Sequence, residues 1–151
     1  MAESTRHRIV LDTNTIIAAG SAWVMSNPPT PQLTKTAQRL IYCVAAQHTG
    51  LICGEIAGEY LEKLIDLKHP TERVIKYIAY LLGAFTRVSL TSTTCTPAPA
   101  DPDDVVFILC AIDGAAHFLV TDDKHLLALK DAYNPPKIVT HGEAAAILVL
   151  S

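Results

Sequence analysis

Short apolar runs set between longer helical stretches decide what this chain can fold into. Ile9-Val10-Leu11, Leu51-Ile52-Cys53 and Phe118-Leu119-Val120-Thr121 read as buried strands. Helices rather than tight turns separate them. That alternation points to an α/β architecture with a central, mainly parallel sheet. The periodicity predicts a first strand over about Arg8–Leu11 and a short helix over Thr15–Ala19. A polar loop over Gly20–Leu33 follows, punctuated by Pro28, Pro29 and Pro31. A helix capped by Thr34 is expected over about Lys35–His48, stopped by Gly50. Helices over Glu55–Leu67 and Thr71–Phe85 are divided by His69-Pro70, and Arg87–Leu90 reads as a strand. Thr91–Ala100 is an extended connection. Asp101 is a natural cap for the next helix, because Pro102 suits a first helical position. That helix, to about Ala116, is apolar nearly all round and therefore central. Strands over His117–Thr121 and Lys137–Thr140 and helices over Lys124–Lys130 and Gly142–Leu150 complete the pattern.

The length of 151 residues fits one domain, residues 1–151. With 50% hydrophobic and 18% charged residues, a packed core is expected and disorder is not. The longest apolar run, Ala144–Leu150, is far short of the ~20 residues that span a bilayer. The opening segment has no apolar signal core, so a cytoplasmic protein without membrane association is expected. None of the four cysteines forms a Cys-x-x-Cys pair, which favours reduced thiols over a disulfide framework or zinc knuckle. A net charge of −3 argues against a strongly basic nucleic-acid module. Bound cations would offset local acids, so nucleic acid is not excluded.

Four acids sit where the chain leaves a strand or starts a helix. Asp12 ends the first strand, and Asp123 follows the strand at Phe118. Asp104 opens the apolar helix, and Glu59 lies early in an amphipathic one. Each has an ordinary explanation. Asp12 and Asp122 or Asp123 can cap helices. Asp103 and Asp104 can complement a helix dipole, worth about 0.3–1 kcal/mol each. Glu59 can pair with Lys63, worth about 0.3–0.5 kcal/mol. Jointly these explanations weaken. Sites in open parallel sheets form beyond the carboxyl ends of the strands, and like charges held close need compensation. A divalent cation supplies it, and Mg²⁺ and Mn²⁺ favour oxygen ligands. No Gly-rich phosphate loop, GxGxxG fingerprint or Gly-x-Ser-x-Gly elbow is present. The six histidines show no tight metal spacing, and His117 and His125 read as ordinary residues.

Three stretches together resemble the PIN domain, a family of metal-dependent ribonucleases that includes VapC-type toxins. Ile9-Val10-Leu11-Asp12-Thr13-Asn14 resembles the opening strand and first acid. Glu55 through Leu64 resembles the helix bearing the second, Glu59. Asp101 through Ala111, then Phe118 through Leu127, resembles the closing half, with its acids at Asp104 and Asp123. The resemblance implies a three-layer α/β/α sandwich and endonucleolytic hydrolysis of RNA. It implies one or two Mg²⁺ or Mn²⁺ ions held by Asp12, Asp104 and Asp123, with Glu59 as ligand or water-orienting group. Asn14 and Thr121, short polar residues beside two of the acids, would either orient carboxylates or waters from behind or make ordinary turn and strand-end hydrogen bonds. Asp122 stands where similar sequences often have Gly and adds a further possible ligand. Implied partners are RNA, an antitoxin protein and a second copy of the chain.

Two rival readings remain open at this point. A magnesium phosphatase of haloacid dehalogenase type also places an Asp after its first strand, but its second Asp is Asn14 here. A catalytically inactive module that binds RNA or protein is the other.

Overall fold

The computed structural model describes residues 6–25 and 36–148. Its sheet has five parallel strands: β1 (Arg8–Leu11), β2 (Thr49–Ile52), β3 (Thr86–Arg87), β4 (Phe118–Val120) and β5 (Lys137–Val139). They are ordered β3-β2-β1-β4-β5. The chain moves outward from β1 to β3, then crosses back and continues through β4 to β5. Right-handed crossovers place connections of opposite direction on opposite faces, which gives the three-layer α/β/α sandwich. The helices are α1 (Thr13–Met25), α2 (Thr36–Gln47), α3 (Gly54–Asp66), α4 (Thr71–Ala84), α5 (Val105–Asp113), α6 (Lys124–Leu127) and α7 (His141–Leu148). A 3-10 turn at Pro102–Asp104 leads into α5.

Burial explains the composition of the strands. Ile9, Val10, Leu11, Leu51, Leu119 and Val120 are fully buried, as expected of parallel strands covered on both faces. Helix α5 lies against β1, β2 and β4, and Phe107, Ile108, Cys110 and Ala111 are buried there. Helix α1 packs on α2, α3 and α4. Two buried tyrosines tie layers together: Tyr60 of α3 donates to the Leu11 carbonyl at the end of β1, and Tyr77 of α4 donates to Ile16 O (2.9 Å). The extended connection after β3 is pinned to the end of α5. Asp113 accepts from Thr91 N–H (2.8 Å), Ser92 N–H (2.9 Å) and the Ser92 hydroxyl (2.6 Å).

The structure corrects several boundaries. Helix α1 does not stop at Ala19 but runs through Gly20 to Met25. A single Gly costs a helix only about 1 kcal/mol relative to Ala, and no stronger breaker precedes Asn27-Pro28. The rest of the expected Gly20–Leu33 loop, and the Thr34 cap, lie outside the described residues. Gly50 does not stop α2; it sits inside β2, paired with Ile9. A side chain there would collide with the Phe85 ring, whose atoms lie 2.7 Å from an added Cβ. The expected Arg87–Leu90 strand shrinks to Thr86–Arg87 and α5 ends at Asp113, before Ala116. All described cysteines are free thiols.

Opposite the strand ends that carry the acids, three histidines gather at the amino-terminal edge of the sheet. His7, His48 and His117 each precede a strand. The His7 ring stacks on His48 (centroids 5.4 Å apart) and meets His117 edge-on (5.5 Å). The His7 backbone N–H donates to His48 Nδ1 (3.1 Å), and the Arg8 N–H donates to His117 Nδ1 (2.9 Å). A backbone N–H can only donate, so Nδ1 of both rings carries a lone pair.

Candidate active site

The strand order reverses between β1 and β4, and it is beyond the carboxyl ends of these neighbours that the acids meet. Such a switch point opens a crevice in a parallel sheet. Asp12 follows β1 directly and is 3% exposed. Its N–H donates to Val120 O (2.9 Å), extending the β1–β4 ladder by one bond. One carboxylate oxygen accepts the Thr13 N–H (2.6 Å) and the other the Thr121 hydroxyl (2.7 Å). The fully buried Thr121 Oγ1 also accepts the Asp123 N–H (2.9 Å). One hydroxyl thus fixes Asp12 and the backbone of Asp123 together. Burial raises the Asp12 pKa, the bonds from Thr121 and Thr13 oppose that, and the Asp123 charge adds to it.

Asp123 caps α6, accepting the His125 N–H at 2.7 Å. Asp104 closes the 3-10 turn, which Asp101 caps by accepting the Asp103 N–H at 3.0 Å. Asp104 is 7% exposed, and its Oδ2 is buried with no hydrogen-bond partner. Its pKa is pushed up to about 7, first by burial and then by Asp123, Asp12, Asp101 and Glu59. Glu59 is half-buried on α3. Burial raises its pKa; the nearby Thr13 hydroxyl favours its charged form, while Asp12 and Asp103 oppose it. No hydrogen bond of good geometry joins Thr13 Oγ1 to that carboxylate, and Thr13 Oγ1 is buried without a partner. An open groove of about 680 Å³ runs from Glu59 between α3 and the 3-10 turn, lined also by Glu55, Glu62, Lys63, Pro102 and Asp103.

The structure therefore brings Asp12, Glu59, Asp104 and Asp123 into one electrostatic neighbourhood: the charge of each of the other three acts on Asp104. It treats the flanking residues differently. Asn14 is exposed on the first turn of α1. Asp122 turns to α7, where it accepts the His141 N–H (3.0 Å) and lies 3.2 Å from His141 Nδ1. The other nitrogen of His141 reaches the Thr15 hydroxyl at 2.6 Å. Sequence spacing gave no sign of His141; it joins the site because β5 delivers it to the same edge. Asp101 was readable as a cap, and it is one. It also belongs, with Asp104 and His125, to the one group of three possible metal ligands among the described residues whose donor atoms all lie within 4.8 Å of one another. Asp101 is 22 residues from the strand-end acid Asp123 in sequence, so only the fold places it near α6.

A PIN domain family model matches residues 8–125, and the chain belongs to that family. Its members are generally nucleases that use divalent metals. No curated protein matches the chain. Among the described residues, no helix is long and apolar enough to cross a membrane.

Proposed function

We propose that the chain is a metal-dependent endoribonuclease that hydrolyses RNA phosphodiester bonds. In this reading Asp12, Asp104 and Asp123 hold Mg²⁺ or Mn²⁺, and Glu59 orients the attacking water or joins the ligands. The observation that carries it is the bare Asp104 oxygen, buried without a partner and surrounded by four further carboxylates. Native proteins leave few buried polar atoms unpaired, and a cation satisfies both the orphan oxygen and the crowded charge. The donor set fits, because hard divalent ions take carboxylate oxygens.

A bound divalent ion supplies a lowered pKa for its water and neutralises charge on phosphate. The chain's own residues do the rest. Thr121 and the Thr13 N–H lock both Asp12 oxygens, so that carboxylate needs no reorganisation. The Thr121 hydroxyl and the capped α6 hold Asp123 beside it. Glu59 lines the groove and has a raised pKa, suited to taking a proton from water.

Cleavage of end-labelled RNA by purified protein should require Mg²⁺ or Mn²⁺ and stop with chelator. Asp12→Asn and Asp104→Asn should each lower the rate by at least ~100-fold, the upper end of what losing a supporting partner of a metal ligand costs. Circular dichroism should be unchanged. Undiminished cleavage by both variants would overturn the assignment. Absence of Mn²⁺ binding in calorimetry would favour an inactive binding module instead. Family membership leaves the phosphatase reading without support. A toxin role rests on the family resemblance; a small antitoxin gene beside this one, and growth arrest on induced expression, are its tests. A homodimer is tested by sedimentation.

A further inference from the structure

We propose that the cation held by Asp104 takes a nitrogen ligand from His125, with Asp101 beside it, and that His125 sets its preference for Mn²⁺ over Mg²⁺; this rests on the metal-dependent reading above. One ring nitrogen of His125 and one carboxylate oxygen each from Asp101 and Asp104 lie within 4.8 Å of one another. Donors about 2.1–2.2 Å from a common ion stand up to roughly 4.3 Å apart, so small side-chain rotations close this group on a single cation. Asp104 contributes the second, independent sign of a ligand. It is 7% exposed, and its Oδ2 has no partner. The local chain holds the Asp101 carboxylate and the His125 backbone in place. Asp101 is held by its capping bond from the Asp103 N–H (3.0 Å), and His125 by the bond from its own N–H to Asp123 Oδ1 (2.7 Å). Asp123 Oδ1 also lies 3.6 Å from His125 Nδ1.

The ligand type decides the ion. Mg²⁺ demands hard oxygen donors in near-ideal octahedral geometry, whereas an imidazole moves a site along the series from Mn²⁺ toward the later divalent metals. A centre of carboxylates alone would not discriminate in this way. His125 is on the short surface helix α6 with a side chain 40% exposed, so its replacement is compatible with the fold.

The test is binding of Mn²⁺ and of Mg²⁺ to the full chain by calorimetry, with pulsed EPR on the Mn²⁺-loaded protein. The wild type should bind Mn²⁺ at least ~10-fold more tightly than Mg²⁺ and show coupling to a directly bound ¹⁴N. His125→Ala should lower Mn²⁺ affinity by about tenfold, leave Mg²⁺ affinity nearly unchanged and abolish the ¹⁴N signal. Mn²⁺ binding that depends on Asp104 but shows no ¹⁴N coupling, and an unaltered Mn²⁺/Mg²⁺ ratio in His125→Ala, would overturn the histidine ligand and leave the nuclease reading standing. No Mn²⁺ binding by the wild type would overturn both.

Discussion

Asp104 concentrates the electrostatic problem of the site in one side chain. Its carboxyl is pushed up to about 7, mainly by burial and by neighbouring acids. An unfolded Asp titrates near ~3.9. The folded metal-free protein therefore holds this proton more tightly than the unfolded chain between those values. The resulting margin of stability is full below about pH 4 and gone above about pH 7. Asp104→Asn removes the charge that is costly at high pH. It should raise the Tm of the metal-free protein at pH 8 by about 2–4 °C, equivalent to ~1 kcal/mol after solvent screening is allowed for. The increment should vanish at pH 4, and thermal denaturation at both pH values checks it. At this scale the sequence was informative wherever a residue sits at an element boundary. Asp12, Asp104 and Asp123 are recognisable from the apolar runs beside them. His125 and Asp101 were not recognisable as members of the site. Each already has an ordinary local role at a helix start, and their proximity arises only when α6 and the 3-10 turn meet in space.

Single close approaches fix how the elements seat on one another. Gly50 lets β2 pass beneath the Phe85 ring at the end of α4. An alanine methyl would stand 2.7 Å from the ring atoms, and Phe85 is itself buried. Overpacking of this kind costs about 1–3 kcal/mol. Gly50→Ala should therefore lower Tm by several degrees, with partial recovery in Gly50→Ala/Phe85→Leu; a variant as stable as wild type would show that the ring moves freely. Element types were legible from periodicity: each long helix named from the sequence is found within the described residues, and so is each strand core except that of Arg87–Leu90, of which only Arg87 lies in β3. Boundaries set by long-range packing were not. Gly50 reads locally as a helix stop, yet its role comes from a ring 35 residues away. The helix that continues past Ala19 shows how weak a breaker a single Gly is.

The strand order governs the whole molecule. Sequence alternation indicated parallel strands, but not that β4 would return to the far side of β1 and so form the switch point. That order puts the acids at one margin of the sheet and the His7, His48 and His117 cluster at the other. His48 and His117 hold the start of β1 by accepting its backbone N–H groups, which a protonated Nδ1 cannot do. Burial and then His117 lower the His7 pKa; burial, then His7 and Arg6, lower that of His48. His7 and His48 therefore charge more readily when unfolded, so the support from His48 is complete above about pH 6.5 and fades as pH falls. His48→Asn should flatten the acid limb of the stability profile between about pH 5 and 7, a change that urea denaturation at several pH values would reveal. Acid thus relaxes the crowding of carboxyls at one rim while loosening the imidazole clasp at the other. The metal-free molecule is consequently most tolerant at an intermediate acidity, where neither rim is fully charged.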